Sequence, residues 1–84
     1  MHHNLKILPA YFEAVALGDK TFEIRDNTDR GFQKGDTVTL LEFDPKKHGT
    51  ISGGETGAAL VRRITYVTNY EQKPGFVVFG ISDV

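Results

Sequence analysis

The chain holds 84 residues, 39% hydrophobic and 25% charged, with a formal net charge of −1 and no cysteine. That length makes one domain, residues 1–84, with a thin core, because so short a chain buries only ~60–65% of its unfolded surface. Missing cysteine excludes a disulfide framework and a thiolate zinc site, and near-neutral charge argues against non-specific binding of long nucleic acid and against a membrane-surface role.

His3–Leu8, HNLKIL, alternates loosely and reads as a first strand. Pro9 opens a helical segment, PAYFEAVALG, where proline suits the first turn. Leu8, Tyr11, Phe12 and Val15 recur at helical spacing, so the helix is expected to pack on its Tyr11/Phe12/Val15 face, and Gly18 to stop it as the C′ residue. Thr21–Arg25, TFEIR, alternates with period two: Phe22 and Ile24 point to one face, Thr21, Glu23 and Arg25 to the other. DNTDRGFQKGD is turn chemistry, in which Asn27, Asp29 and Arg30 build the turn and Gly35–Asp36 supplies turn geometry alone. DTVTLLEFD is a third strand with Val38, Leu40 and Glu42 on one face.

Pro45–Gly57, PKKHGTISGGETG, holds almost nothing apolar and is the expected mobile loop. AALVRRITYVTNY is a long strand, EQKPG a turn, and FVVFGI a buried final strand. Arg62 falls in phase with Leu60, Ile64 and Tyr66. Either a bulge near Arg62–Arg63 resets the register, or Arg62 points into a cleft; the bulge is the expectation. The order is strand, helix, four strands. It places the chain in the α+β class, mainly β: a small mixed barrel of about five strands that closes its edges, with one short N-terminal helix.

The stretch Gly18–Asp36 is crowded with charge of both signs. Lys20 stands just before the Thr21/Glu23/Arg25 face, so these side chains lie within ~7–10 Å of one another. Arg25 can grip a phosphate or carboxylate with two parallel hydrogen bonds. Glu23 can accept from the amino edge of a base or hold Lys20 and Arg25 in place, and Lys20 can take part in proton transfer. The same pattern also fits a solvated strand laced by surface ion pairs, each worth little.

GDKTFEIR, with Gly18, Lys20, Glu23 and Arg25, resembles the G-x-K-x-x-E-x-R signature of the ASCH superfamily, whose fold is a PUA-like β-barrel. HNLKILPAYFEAV, FQKGD, ITYV and FVVFGI resemble a short bacterial and phage branch of that superfamily, itself known only as a domain of unknown function. The resemblance runs from His3 to about Ile81. It implies a PUA-like barrel and a cleft beside the signature that binds RNA or a nucleotide. It also brings in an enzymatic branch, small hydrolases that remove an acyl group from a modified cytidine. There a threonine three residues after the signature lysine acts as nucleophile. Here that position is Glu23, and the nearest hydroxyl, Thr21, is directed elsewhere, which counts against that mechanism.

Further candidates surround the signature. His3, in HNLK with Lys6, can hydrogen-bond a ligand or the signature strand, and Arg30 can reach over the cleft to a phosphate. Tyr11, Tyr66 and Tyr70 can stack a base, a contact worth ~1–3 kcal/mol. His48, beside Lys46 and Lys47, is a candidate lid. His2, His3 and His48 have no metal-ligand spacing, SGGETG is not a P-loop, and no cofactor is implied.

The expected function is binding of RNA or a nucleotide-like molecule, with Lys20, Glu23, Arg25, Thr21, His3 and Arg30 as ligand-binding residues. The alternatives are a small hydrolase of a modified nucleoside, in which Lys20 and Glu23 would carry the chemistry, and a protein-interaction module in a phage or bacterial regulatory setting. No apolar run approaches the ~20 residues of a helix that crosses a bilayer. Met1–Asn4 does not open a signal peptide, and a cytoplasmic location is expected.

Overall fold

The structure, a computed structural model, describes residues 1–47 and 54–84. His48 and part of the expected Pro45–Gly57 loop lie outside the described residues. The elements are β1 (His2–Ile7), α1 (Pro9–Ala16), β2 (Phe22–Asp26), β3 (Thr37–Phe43), a 3-10 turn (Pro45–Lys47), β4 (Glu55–Thr68) and β5 (Phe76–Ser82). All five strands form one mixed sheet in the order β1-β3-β4-β5-β2. β1 runs parallel to β3, and every other neighbouring pair is antiparallel.

The sheet curls into a half-barrel. Register shifts between Leu41 and Phe43 and between Ile64 and Tyr66 mark the irregularities, and an extra residue in one strand increases local bend and twist. The expected closed barrel does not form, because β1 and β2 are both edges and do not pair. The inward side chains of β2 supply the reason. Glu23 and Arg25 lie directly opposite Phe79 and Val77, and directly paired residues share a face. A small closed barrel fills its interior with packed side chains, whereas the inner face at this edge carries an ion pair.

The core is built by period-two alternation on each strand. Leu5 and Ile7 from β1, Val38 and Leu40 from β3, Ile64 from β4 and Phe79 from β5 are buried together, joined by Val15 from α1. Phe32, which lies in the turn-like stretch, is also buried. Its ring stands 4.7 Å from that of His3 and 4.9 Å from that of Phe79. The segment 27–36 is therefore a plug for one end of the half-barrel. It is held by Phe32 N–H on Asn27 Oδ1 (2.8 Å) and by paired backbone bonds between Gly35–Asp36 and Ile64.

α1 begins at Pro9, as its fixed φ suits. It ends at Gly18, whose φ of +82° is the left-handed conformation that glycine adopts without cost. Gly18 N–H donates to Val15 O and Asp19 N–H to Ala14 O, the paired bonds of a Schellman motif. Lys20 N–H donates to the same Ala14 carbonyl at 3.0 Å. This stop sets where Lys20 sits. Val15 is buried and Phe12 half-buried, but Tyr11, expected to pack with them, is 53% exposed.

Two further expectations are corrected. The β4 irregularity falls at Thr65, not at Arg62–Arg63, because Arg62 pairs with Val38 in unbroken register. Arg62 therefore shares the inner face with Val38, half-buried, its Nη1 on Val61 O and its Nε 3.6 Å from Asp83. Beyond Thr65 the register places Tyr66 opposite Gly80, so it leaves the phase of Leu60 and Ile64 and is 66% exposed.

Candidate functional site

β2 alternates as its sequence implies, yet its burial is the reverse of what hydrophobicity suggests. Phe22 and Ile24 are exposed, and Glu23 is 3% exposed. Glu23 can be buried because its charge is matched on both oxygens. Arg25 Nε and Nη2 donate to Oε1 at 3.0 and 2.8 Å, and Lys20 Nζ donates to Oε2. A buried carboxylate persists only when paired and hydrogen-bonded. Lys20 is fixed further by a 2.8 Å bond to Phe22 O, and its ammonium lies 5.5 Å from the Tyr11 ring and 5.2 Å from the Phe22 ring. The solvated-strand alternative does not describe these residues.

Beside this cluster the open seam forms a cleft of about 460 Å³. One wall is the end of β1 with α1: Lys6, Ile7, Leu8 and Tyr11. The other is Lys20 and Phe22–Arg25. Lys20, Glu23 and Arg25 are thus brought together at the cleft, with Glu23 as its only lining carboxylate among the described residues. Arg25 spends two nitrogens on Glu23, and its Nη1 has no partner among the described residues. The site can therefore offer cationic donors already held in place, with aromatic rings at its rim.

The other expected site residues lie elsewhere. Thr21 continues the β2–β5 ladder, its carbonyl accepting from Ile81 N–H at 2.9 Å. Its side chain lines a second hollow of about 400 Å³, which it shares with Lys20, Arg62 and Asp83. His3 is buried beneath Phe32, and its Nε2 meets Asp36 Oδ2 at 2.9 Å. Arg30 Nη1 donates to Asn4 O at 3.3 Å, tying the loop after β2 to β1 rather than reaching into the cleft. Tyr66 and Tyr70 are exposed and line neither hollow.

Asp36, read as turn geometry alone, is a buried acceptor. It takes bonds from His3, from the N-terminal ammonium at 3.1 Å and from Gln33 N–H at 3.0 Å. The His3 bond, aided by the ammonium and Gln33, holds its carboxyl below the ordinary range against the opposing effect of burial. Asp26 is lowered too, by the Thr28 hydroxyl and then the Thr28 N–H.

Of the three tyrosines expected to stack a base, Tyr11 lines the cleft, whereas Lys6 and Phe22 were not assigned to it by sequence. The one signal was position: Lys6 precedes the Ile7-Leu8-Pro9 junction where β1 hands over to α1, and Phe22 lies inside the signature itself. No group of histidine and acidic side chains suited to a metal ion occurs among the described residues, and no helix there is long and apolar enough to cross a membrane.

No curated protein matches the chain. A family described as a domain of unknown function (DUF3850) matches residues 2–81. Since that match takes in the helix and all of the strands but the last residue of β5, the chain belongs to this family.

Proposed function

We propose that the protein binds RNA or a nucleotide-like ligand in the seam cleft. The observation that carries this reading is the buried Glu23 clamped by Lys20 and Arg25, on the wall of a cleft of about 460 Å³. Sites for small molecules span ~300–1,000 Å³, and they combine apolar walls with a few well-placed polar groups. Lys20 and Arg25 serve as donors to phosphate or carbonyl oxygens. Glu23, with both oxygens engaged, positions them rather than reading a base edge. Tyr11 and Phe22 offer ring faces at the rim. The resemblance of Gly18, Lys20, Glu23 and Arg25 to the ASCH signature, with its PUA-like fold, supports the same reading.

The hydrolase alternative lacks the hydroxyl nucleophile of the branch it resembles. The cleft lining holds no serine, threonine or cysteine among the described residues, and Thr21 lies at the second hollow. The protein-interaction alternative has one observation in its favour, the exposed Phe22, Ile24, Tyr66 and Tyr70. Isothermal titration of wild type and Arg25→Ala with the four nucleoside monophosphates and a short single-stranded RNA separates these readings. Saturable binding, weakened about tenfold or more in the variant (a difference of ~1.4 kcal/mol), is the expected result. Equal binding by both proteins, or none, overturns the proposal.

A further inference from the structure

We infer that the ligand's anionic group is a phosphate monoester, a terminal dianion, and that Lys6 recognises its second charge; the inference rests on the cleft being a nucleotide site. Charge balance carries it. The charged residues lining the cleft are Lys6 from β1, Lys20 just before β2, and Glu23 and Arg25 from β2, with the Tyr11 phenol from α1 as the only other titratable group among the described lining residues. Glu23 cancels one cation, which leaves a surplus of two positive charges in a chain whose formal net charge is −1.

An internal phosphodiester carries one negative charge. A monoester carries about −1.5 to −2 at pH 7 and three strong acceptor oxygens. Of these two single groups, the monoester matches the surplus. The two walls also present different kinds of cation. Arg25 and Lys20 are immobilised on Glu23, whereas Lys6 is exposed and has no carboxylate partner among the described residues.

The Lys6 ammonium now rests 5.0 Å from the centre of the Phe43 ring, on the β3 side of β1. An exposed cation–ring contact is weak, and a lysine stem has free rotation. The ammonium turns from Phe43 to the seam and meets a phosphate already held by Arg25. A dianion placed there bridges β1 and β2, the two strands that the fold leaves unpaired. Binding therefore also closes the seam electrostatically, and a ligand that binds only the folded state raises the unfolding temperature.

The test uses three probes for each base: the nucleoside, its 5′-monophosphate, and its 3′,5′-cyclic monophosphate, which is a diester on the same base. Binding is measured by calorimetry and by thermal shift on wild type, Lys6→Ala, Lys6→Arg and, as a control, Lys73→Ala, an exposed lysine between β4 and β5 that does not line the cleft. The 5′-monophosphate is expected to bind about tenfold tighter than the cyclic diester, the advantage vanishing in Lys6→Ala and returning in Lys6→Arg. Lys6 is exposed, so its variants fold. Equal affinity for monoester and diester overturns the inference and leaves the nucleotide site standing, as does an advantage that survives Lys6→Ala. Binding of none of the probes removes both.

Discussion

At the scale of single residues, the protein spends its buried charge in two places, and the two differ in kind. Glu23 holds two cations at the cleft, while Asp36 holds His3, the N-terminal ammonium and the Gln33 amide at the opposite use of a carboxylate, fastening the 27–36 plug to β1. The Asp36 carboxyl is lowered from its ordinary value of 3.8, first of all by the His3 bond. A group lowered in the folded state adds stability that is fully present above its unfolded value and is lost as pH falls through the folded one. Wild-type urea midpoints are therefore expected to decline below about pH 4. Asp36→Asn should be less stable at pH 7 and should show a shallower decline between pH 5 and pH 3, followed by urea unfolding at each pH. An unchanged slope in the variant contradicts this assignment. Neither role was legible in full. The Lys20/Glu23/Arg25 spacing announced a cluster, but Asp36 sits amid turn residues and its partner His3 lies 33 positions away.

Among the elements, β2 teaches the most. Its alternation was plain in TFEIR, yet alternation gives the phase of a strand and not which face is buried. The apolar face of β2 looks outward, because its pairing with β5 sets Glu23 and Arg25 beside Phe79 and Val77. The helix stop at Gly18 was readable because it is local chemistry. The Thr65 irregularity was misplaced because it depends on what lies across the sheet. Gly80 on β5, which pairs with Tyr66, is the neighbour there: a Cβ built on it would stand 2.6 Å from Thr65 Oγ1. Gly80→Ala is expected to cost about 1–3 kcal/mol by overpacking. Removing the obstructing hydroxyl, in Thr65→Ala, should recover most of that loss in a double-mutant cycle read by chemical denaturation. If the two effects simply add, the contact does not explain why glycine occupies position 80.

For the whole molecule, the decisive feature is an opening. Strand number, helix and chain order were legible, because local periodicity and glycine-rich turns specify them. Closure was not, since it depends on whether β1 and β2 meet, a contact between edges that no local pattern encodes. The half-barrel leaves its two edge strands facing a cleft, and the paired charges at the β2 edge line it. With few phosphates neutralised, binding there should weaken only modestly with salt, because the slope scales with the number of contacts. The most direct measurement is an amide NMR titration of wild type and Lys20→Ala with nucleoside monophosphates and a short single-stranded RNA. Saturable shifts confined to Lys6–Tyr11 and Lys20–Arg25, lost in the variant, are the expected result. Shifts centred instead on Tyr66 and Tyr70, or none with any of these ligands, would contradict it.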